Sequence, residues 1–405
     1  MSDTLHRDYP KLGATTCPYN LYSSLREEGN SVGALPDVRL LSRHEDVQLA
    51  LRHPEIFGSD EPPTPGDNAD FGADDGVPLN NMLQRDPPLH TAQRRLVSKM
   101  FSPGRLRLHE PMIRGVVDDL LDGMVGRGRA EFVSEFATPL PVRVMCSMMG
   151  FPKEDYDWFV QWGRLEGRGV RFLDEAHRSE QAARAGRMGE YLAAAIRRRL
   201  VEPTDDILGE MVVLQRERDG ETNLPYLVRE AGLLLAGGVV TTAHMLSSAL
   251  LLLLRRPDQL ALVQAEPSRI PRLLEESLRL ESPVQWLPRR CRVDTEIGGR
   301  VIPAGAQVIL VLGSANRDER LFDVPDELDL ERANVKSHVG FGHGVHFCLG
   351  APLARLEGTI AFEEIFRRLP DLRLTPTAGE PKLMKSIMFR GIDELDISFG
   401  DPDGH

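Results

Sequence analysis

The chain has 405 residues, 41% of them hydrophobic and 27% charged, which is the composition of a soluble globular protein with a core large enough to enclose a cofactor. A formal charge of -12 argues against a nucleic-acid-binding protein, because the phosphate backbone requires a basic face. The N-terminus MSDTLHRDYP has no signal-peptide pattern, and Cys17, Cys146, Cys291 and Cys348 form no paired spacing. These features predict a cytoplasmic protein, and without repeats or a clear linker we expect a single domain over 1–405.

Helical periodicity dominates the predicted elements. Near the N-terminus, residues 19–29 and 43–54 carry leucines at helical spacing and end at a glycine and a proline. Helices are then predicted from His90 to about Pro283. The expected fold class is therefore mainly α, with a small β contribution.

Strands and one long loop account for the rest of the pattern. Residues 38–42 predict a short strand, and residues 294–318 alternate in the manner of hairpin strands around Gly298 and Gly299. Residues 61–88 are rich in proline, glycine and aspartate and predict a long loop, a type of segment that is usually functional or disordered.

One helical segment is long enough to raise the question of a membrane span. No charged residue occurs from Ala231 to Leu254, which meets the length of about 20 apolar residues that a bilayer requires. Glycine, threonine, histidine and serine interrupt its middle, and no second span or aromatic belt accompanies it. We therefore predict a helix through the centre of a soluble core, with protein on every side.

The segment FGHGVHFCLG, residues 341–350, places Cys348 among glycines and two histidines. Three interpretations are open. The thiol could be a small buried hydrophobe in a turn. His343, His346 and Cys348 could bind zinc, although no fourth ligand follows at short spacing. Cys348 could also be the thiolate ligand of a haem iron, with glycines that let the backbone approach the porphyrin.

Two charged pairs elsewhere bear on this choice. Glu276 and Arg279 lie three residues apart and share a helix face, where they can form a charge-assisted pair. His90 and Arg94 lie four apart and also share a face, which would suit two neighbouring carboxylates. Each pair alone is also compatible with a solvated helix surface.

The apolar helix contains Gly237 and Gly238, followed by Thr241. Each glycine costs about 1 kcal/mol relative to alanine inside a helix, which indicates that something needs the space. A threonine hydroxyl that bonds back to a carbonyl four residues earlier would also loosen the helix there.

In order and rough spacing these motifs resemble those of the bacterial cytochrome P-450 family, soluble haem-thiolate monooxygenases of the class I type. The resemblance extends from about Tyr19 to Phe399 and leaves residues 1–18 as an N-terminal extension. The cysteine loop is highly specific, and the other patterns are specific only together. The resemblance implies the cytochrome P-450 fold, a helical core with small β-sheets that holds haem b between the long helix and the cysteine loop.

On the proximal side, the resemblance makes Cys348 the axial ligand of the haem iron, followed by a helix near Ala351 whose N-terminal amides would stabilise a thiolate. Glu276, Arg279 and Arg332 would form a buried network that supports the cysteine loop. The remaining residues implied to bind the cofactor shape the loop or hold the haem propionates, and they are Phe341, Gly342, Gly350, His346, His90, Arg94 and Arg289.

On the distal side, Gly237, Gly238 and Thr241 would open a groove for dioxygen in the long helix. The family usually places an acid immediately before the threonine, but this chain has Val240, which cannot relay a proton. Water, a polar group of the substrate or His244 would have to replace that acid. We rank the first two above His244.

The resemblance also implies a pocket, partners and a reaction. A mainly apolar pocket for a medium-sized organic molecule is expected from residues near Asn80–Leu83, Leu233, Gly237, Val284 and Met388. One atom of O2 would enter this substrate, in a role typical of secondary metabolism, with no nucleic acid or membrane as partner. Without a Rossmann fingerprint or flavin segment, electrons would come from a ferredoxin and its reductase, which would dock on a basic patch of Arg95, Lys99 and Arg105. The alternatives are a non-catalytic haem carrier or sensor, or an atypical oxidation.

Overall fold

The structure is a computed structural model that describes residues 17–28, 32–35, 38–59, 81–166, 175–376, 379–384, 386 and 388–400. Helices dominate these residues, as the periodicity predicts. The helices are α1 Tyr19–Glu27, α2 His44–Arg52, α3 Leu89–Ser98, α4 Pro103–Val125, α5 Pro139–Met148, α6 Tyr156–Glu166, α7 Glu175–Val201, α8 Ile207–Asp219, α9 Leu224–Leu254, α10 Pro257–Ala265, α11 Ile270–Leu280, α12 Leu312–Ala315 and α13 Ala351–Arg368.

Local sequence signals set several helix ends. Proline occupies the first turn of α4, α5 and α9, where its missing N–H has no helical partner to lose. The side chain of Asn223 caps α9 by accepting from the backbone N–H of Tyr226. Gly220 ends α8 in the left-handed conformation, at φ 80°.

The strands are short and form small sheets. They are β1 Val32–Leu35, β2 Val38–Leu41, β3 Phe57–Gly58, β4 Arg129–Glu131, β5 Trp286–Cys291, β6 Thr295–Ile297, β7 Arg300–Ile302, β8 Gln307–Val311, β9 Arg373–Leu374, β10 Lys382–Leu383, β11 Ile392–Glu394 and β12 Asp396–Ser398. The largest sheet has the order β1-β2-β8-β5-β3, in which β2 and β8 run parallel.

Most predicted elements are confirmed, with three differences. The 38–42 strand is β2, and the hairpin β6–β7 turns at Gly298 and Gly299 with positive φ at both. The alternating stretch ends earlier than predicted, because the chain after β8 turns into the short helix α12. Strand β4 interrupts the predicted helical region, since its partner β12 lies far away in sequence. Of the predicted 61–88 loop, residues 61–80 lie outside the described residues, and 82–84 form a turn of 3-10 helix.

Helix α9 runs through the main hydrophobic core and packs against α5, α7, α11 and α13. By length and composition it could cross a membrane, but 72% of its most apolar window is buried inside the protein. The prediction of a core helix is therefore confirmed. α13 packs against both α4 and α11, and this packing fixes the start of α13, where the cysteine loop ends.

Candidate haem site

The cysteine loop is a compact turn that only glycine permits at two positions. Gly342 and Gly344 have φ values of 70° and 69°, in the left-handed region. A Cβ at Gly344 would lie 2.5 Å from the carbonyl oxygen of Leu51, so α2 and the loop could not approach with any larger residue. The backbone N–H of Cys348 donates to the carbonyl of Phe341 at 2.8 Å and closes the loop.

Cys348 differs from the other three cysteines in its surroundings. Its side chain is partly accessible, whereas Cys146 and Cys291 are buried in the core and Cys17 is exposed near the N-terminus. Burial raises the pKa of the Cys348 thiol, while the backbone amides of Gly350 and Ala351 lower it. The amides at the start of α13 thus act in the expected direction, but burial outweighs them in the protein alone.

The histidines of this loop do not form a metal site with the cysteine. His346 Nε2 lies 3.4 Å from Asp86 Oδ1 and 3.2 Å from Ser59 Oγ, and its ring lies against that of His90. Within the described part of the chain, no three His, Cys, Asp or Glu side chains are placed to hold a metal ion. The zinc interpretation of His343, His346 and Cys348 is therefore not supported.

His90 and Arg94 of α3 lie beside the cysteine loop. The rings of His90 and His346 are 4.1 Å apart, and His90 Nδ1 is buried without a hydrogen-bond partner among the described residues. Burial, followed by the neighbouring His346, lowers the pKa of His90 to about 4. Arg94 Nη2 donates to the Phe347 carbonyl at 2.6 Å. A neutral imidazole with an unused nitrogen and a guanidinium therefore meet at one edge of the loop.

Asp86 is a member of this cluster that sequence reasoning missed. Its carboxylate accepts from the Ser59 backbone N–H at 2.8 Å and from Arg292 Nη2 at 2.6 Å, and it contacts His346. The signal in the sequence is its place just before the two prolines that lead into α3. Arg289, the predicted propionate partner on β5, is buried, and its Nη1 donates to the Pro288 carbonyl at 2.7 Å.

Glu276, Arg279 and Arg332 form one buried network, as their predicted structural role requires. The Arg279 side chain has 0% exposure, and its Nε donates to Glu276 Oε2 at 2.8 Å. Its other nitrogens donate to the carbonyls of Asn316, Pro325 and Glu327. Arg332 binds the second Glu276 oxygen. Burial raises the pKa of Glu276 although both arginines act to lower it.

A second carboxylate on α11, Glu275, was not singled out from the sequence. It binds His338, just before the cysteine loop, at 3.0 Å, and Arg355 of α13 at 2.6 Å. Burial alone would raise its pKa, but the hydrogen bonds from His338 and Arg355 outweigh burial and lower the pKa to about 2. Its partners lie far from it in sequence, which is why no local spacing could reveal them.

Most of α9 is buried, but one stripe of it remains accessible, at Leu233, Ala236, Gly237 and Thr241. These residues share one helix face. A Cβ at Gly237 would meet nothing within 4 Å, and Thr241 Oγ1 donates to the Gly237 carbonyl at 2.7 Å, the back-bond that the sequence predicts. This face of α9 is therefore not covered by other described side chains at Gly237.

Gly238 is also partly accessible, whereas Val240 is buried. A Cβ at Gly238 would lie 2.9 Å from Met145 Sδ of α5, so this glycine permits close packing of α9 on α5. Val240 is buried in the main core cluster. His244 is also buried, both its ring nitrogens lack partners among the described residues, and burial lowers its pKa to about 4.

The predicted pocket residues fall into two groups. Leu83 lies on the 3-10 turn and has 49% exposure, while Asn80 lies outside the described residues. Val284 pairs with Phe389 through an isolated β-bridge, and the backbone N–H of Gln285 donates to the Met388 carbonyl at 2.8 Å. The structure thus brings the Val284 and Met388 segments together.

The predicted basic patch is present in part. Arg95 and Lys99 are exposed on α3, one and five residues after Arg94. Arg105 forms an ion pair with Glu210 of α8, which neutralises its charge. Part of the positive charge predicted for this patch is thus compensated by an acidic neighbour.

Comparison with known proteins identifies the family. The family model described as Cytochrome P450 matches residues 196–390. The vitamin D(3) 25-hydroxylase of Pseudonocardia autotrophica is 36% identical over 388 residues, which cover 95% of this chain and 94% of that protein. The 6-deoxyerythronolide B hydroxylase of Saccharopolyspora erythraea is 32% identical over 98% of this chain and 97% of its own length. The chain belongs to the cytochrome P450 family.

Solved structures agree with this membership. A mutant of P450 EryK in complex with erythromycin B has a TM-score of 0.85 at 30% identity, over 97% of this chain and 99% of its own. CYP109E1 from Bacillus megaterium in complex with testosterone has a TM-score of 0.85 at 28% identity, over 95% and 98%. The fold is thus the cytochrome P450 fold, the enzyme is a cytochrome P450 monooxygenase, and its cofactor is haem b.

The described residues fit this cofactor. A partly accessible cysteine lies in a loop that only glycines permit, and the accessible stripe of α9 provides an open wall. The orphaned Nδ1 of His90 and the guanidinium of Arg94 lie beside the loop and suit anionic carboxylates.

Replacement of Arg279 tests the buried network. Arg279→Ala leaves Glu276 without one of its partners in the interior, a change that costs about 3–5 kcal/mol in comparable buried pairs. We expect a large fall in soluble yield and in haem content per protein, measured by the pyridine haemochrome assay. Arg367→Ala, which breaks an exposed i,i+3 pair with Glu364 on α13, is the control and should change neither. A haem-replete, equally stable Arg279→Ala protein would contradict the structural role.

Glu275 should leave a signature in the pH dependence of stability. Its pKa in the folded protein is below the usual value, so its contribution is present above about pH 4.5 and is lost as the pH falls towards 2. Glu275→Gln should lower the free energy of unfolding at neutral pH by roughly 3 kcal/mol and flatten the curve in that acid window. Chemical denaturation across that window measures both. If the curves of unfolding free energy against pH are parallel for parent and variant, Glu275 does not form an ionised pair with His338 and Arg355.

Proposed function

We propose that this monooxygenase inserts one oxygen atom from O2 into a medium-sized, largely apolar organic substrate, with the Cys348 thiolate as the axial ligand of its haem. The observation that carries the proposal is the placement of the partly accessible Cys348 in a rigid glycine loop, at the start of α13 and in a P450 fold. The haem, when bound, supplies the activation of dioxygen. The relatives named above are hydroxylases, which favours an enzyme over the carrier or sensor alternative.

The chain's own residues would hold the cofactor from both sides. We assign His90, Arg94, Arg289 and His346 to the haem propionates, because a buried anion needs cationic or hydrogen-bonding partners. Phe341, Gly342 and Gly350 would keep the Cys348 loop in shape, and Glu276, Arg279 and Arg332 would hold that loop from behind. Cys348 would carry no proton once it binds iron.

The substrate would lie between two walls. One is the α9 stripe with Leu233 and Gly237, and the other comprises Leu83 and the paired segments at Val284 and Met388. These positions are mainly apolar, which favours recognition by shape with few polar contacts. Relatives named as hydroxylases of vitamin D(3) and of 6-deoxyerythronolide B support an organic small molecule as the substrate.

Proton control would fall to Thr241 together with water or substrate. Its hydroxyl hydrogen is directed at the Gly237 carbonyl, so its oxygen is free to accept a hydrogen bond from a water molecule on the accessible face. Val240 offers no acid, and a buried neutral His244 stays in third place.

Electrons would arrive from a ferredoxin and its reductase in the cytoplasm. Bacterial members of this family generally use such partners. Arg95 and Lys99 are exposed cations on the helix that also carries Arg94, and they would form part of the docking surface for an acidic partner.

Cys348→Ser tests the proposal. The parent should show a strongly red-shifted Soret band in its reduced carbon monoxide complex, and Cys348→Ser should lose that band and nearly all oxygenation, even where haem remains bound by the propionate contacts. Cys17→Ser and Cys291→Ser, which replace an exposed cysteine and a buried core cysteine outside the 341–350 loop, should retain the parent spectrum. An unchanged spectrum and full activity in Cys348→Ser would overturn the assignment.

Thr241→Ala tests proton control. Without its hydroxyl the water near Gly237 loses its position, so the variant should consume reducing equivalents, release more peroxide and form severalfold less product. Product per NAD(P)H oxidised is the measurement. The matched control is Thr242→Ala, because Thr242 is buried beside Thr241 but lies off the accessible stripe. Equal coupling in parent and Thr241→Ala, together with normal turnover of a substrate that lacks polar hydrogens, would exclude both water held by Thr241 and delivery by the substrate, and His244 would become the leading candidate.

A further inference from the structure

Glu230 of α9 is a buried carboxylate that the proposed mechanism does not use. It has 2% exposure, and its Oε1 accepts from the backbone N–H of Met82 at 2.9 Å. Its Oε2 has no hydrogen-bond partner among the described residues. A buried acid with one satisfied and one unsatisfied oxygen is costly, which makes a purely structural role a poor explanation.

Its place on α9 relates it to the substrate cavity. Glu230 lies seven residues, close to two helical turns, before Gly237, so it continues the face of the accessible stripe towards the helix N-terminus. Leu233 lies between them on the same face. Met82, which Glu230 binds, begins the 3-10 turn that carries the half-exposed Leu83.

This turn, residues 81–84, is held at both ends. The Asn81 side chain accepts from the Leu83 N–H at 3.0 Å and keeps the turn folded, while Glu230 ties it to α9. On the other side, Asp86 is bound by Ser59 and Arg292 next to the cysteine loop. Glu230 is thus the polar attachment of this segment to the distal wall.

We propose that Glu230 is a positioning residue for the roof of the substrate cavity: its bond to Met82 holds the 81–84 turn against α9, and ligands reach the haem when that bond opens. The inference rests on the proposed function, since it places the haem below the α9 stripe. Opening would expose the carboxylate to water and release the 81–84 turn from α9.

The charged groups around Glu230 give this roof a pH dependence. Burial raises the pKa of Glu230 to about 7. The Met82 amide, Arg229 on α9 and Arg218 on α8 lower this pKa, but burial outweighs them. Arg218 is itself paired with Asp219 and lies over the ring of Tyr226, whose hydroxyl is buried one turn from Glu230. The closed state therefore favours the protonated acid and the open, hydrated state favours the carboxylate.

The fraction of protein with the roof open should therefore increase with pH. With a pKa of about 7 when closed and a usual value of 4.5 when open, the open fraction increases about tenfold from pH 6 to pH 8. Ligand entry and exit should accelerate together by that factor, with little change in the dissociation constant. A neutral group at position 230 should remove the effect.

Stopped-flow binding of cyclohexyl isocyanide to the reduced haem protein between pH 6 and pH 8 tests the roof, because this iron ligand has no titrating group in that range. We expect both rate constants to rise about tenfold in the parent. Glu230→Gln, which keeps an oxygen for Met82, should show the parent's slow pH 6 rates throughout. Glu230→Leu should be fast at every pH.

Glu357→Gln is the matched control. Glu357 on α13 is also fully buried, with both carboxylate oxygens unpartnered among the described residues, but it lies outside the roof. It should retain the parent's pH dependence. Binding rates that are independent of pH in the parent would overturn the proposal, and so would an equal pH dependence in Glu230→Gln and the parent. If Glu230→Leu does not fold, the comparison with Glu230→Gln decides. A protein that takes up haem but binds no isocyanide at all would instead contradict the proposed function.

Discussion

The site depends on one constraint, that carboxylates buried on α11 must be neutralised where they lie. Glu275 and Glu276 are adjacent in sequence but turn to opposite partners, Glu275 to His338 and Arg355, and Glu276 to Arg279 and Arg332. His338 and Arg332 precede the cysteine loop, and Arg355 follows it on α13. Removing either acid or one of its partners leaves an unpaired charge in the core, which is strongly destabilising. Because these partners lie before and after the cysteine loop, the two networks hold the loop that presents Cys348 from both sides.

Opposite this loop, α9 combines packing and access along one helix. Gly238 brings it close to Met145 of α5, while Gly237, one residue earlier, leaves open space. The back-bond of Thr241 to the Gly237 carbonyl places a hydroxyl on that open face. Because helical neighbours point about 100° apart, a single glycine pair can serve the core and the cavity at once. A polar group at each end of the stripe, Glu230 and His244, completes this wall.

Local patterns predicted much of this architecture. Helical spacing found α9 and the pairs Glu276–Arg279 and His90–Arg94, because partners three or four residues apart must share a face. It could not find Asp86 or Glu275, whose partners are distant in sequence. It also could not show that Gly238 contacts Met145 or that Arg105 pairs with Glu210, because both contacts join residues that are distant in sequence. The family resemblance supplied the roles, and tertiary packing decided which residues can fulfil them.

The central claim is that the Cys348 sulfur binds the haem iron. Iron K-edge X-ray absorption of the purified resting protein measures this bond directly, because sulfur and nitrogen scatter differently around iron. We predict one sulfur neighbour in addition to the porphyrin nitrogens, and its loss in Cys348→Ser. An iron surrounded by nitrogen and oxygen alone in the parent protein would contradict the account.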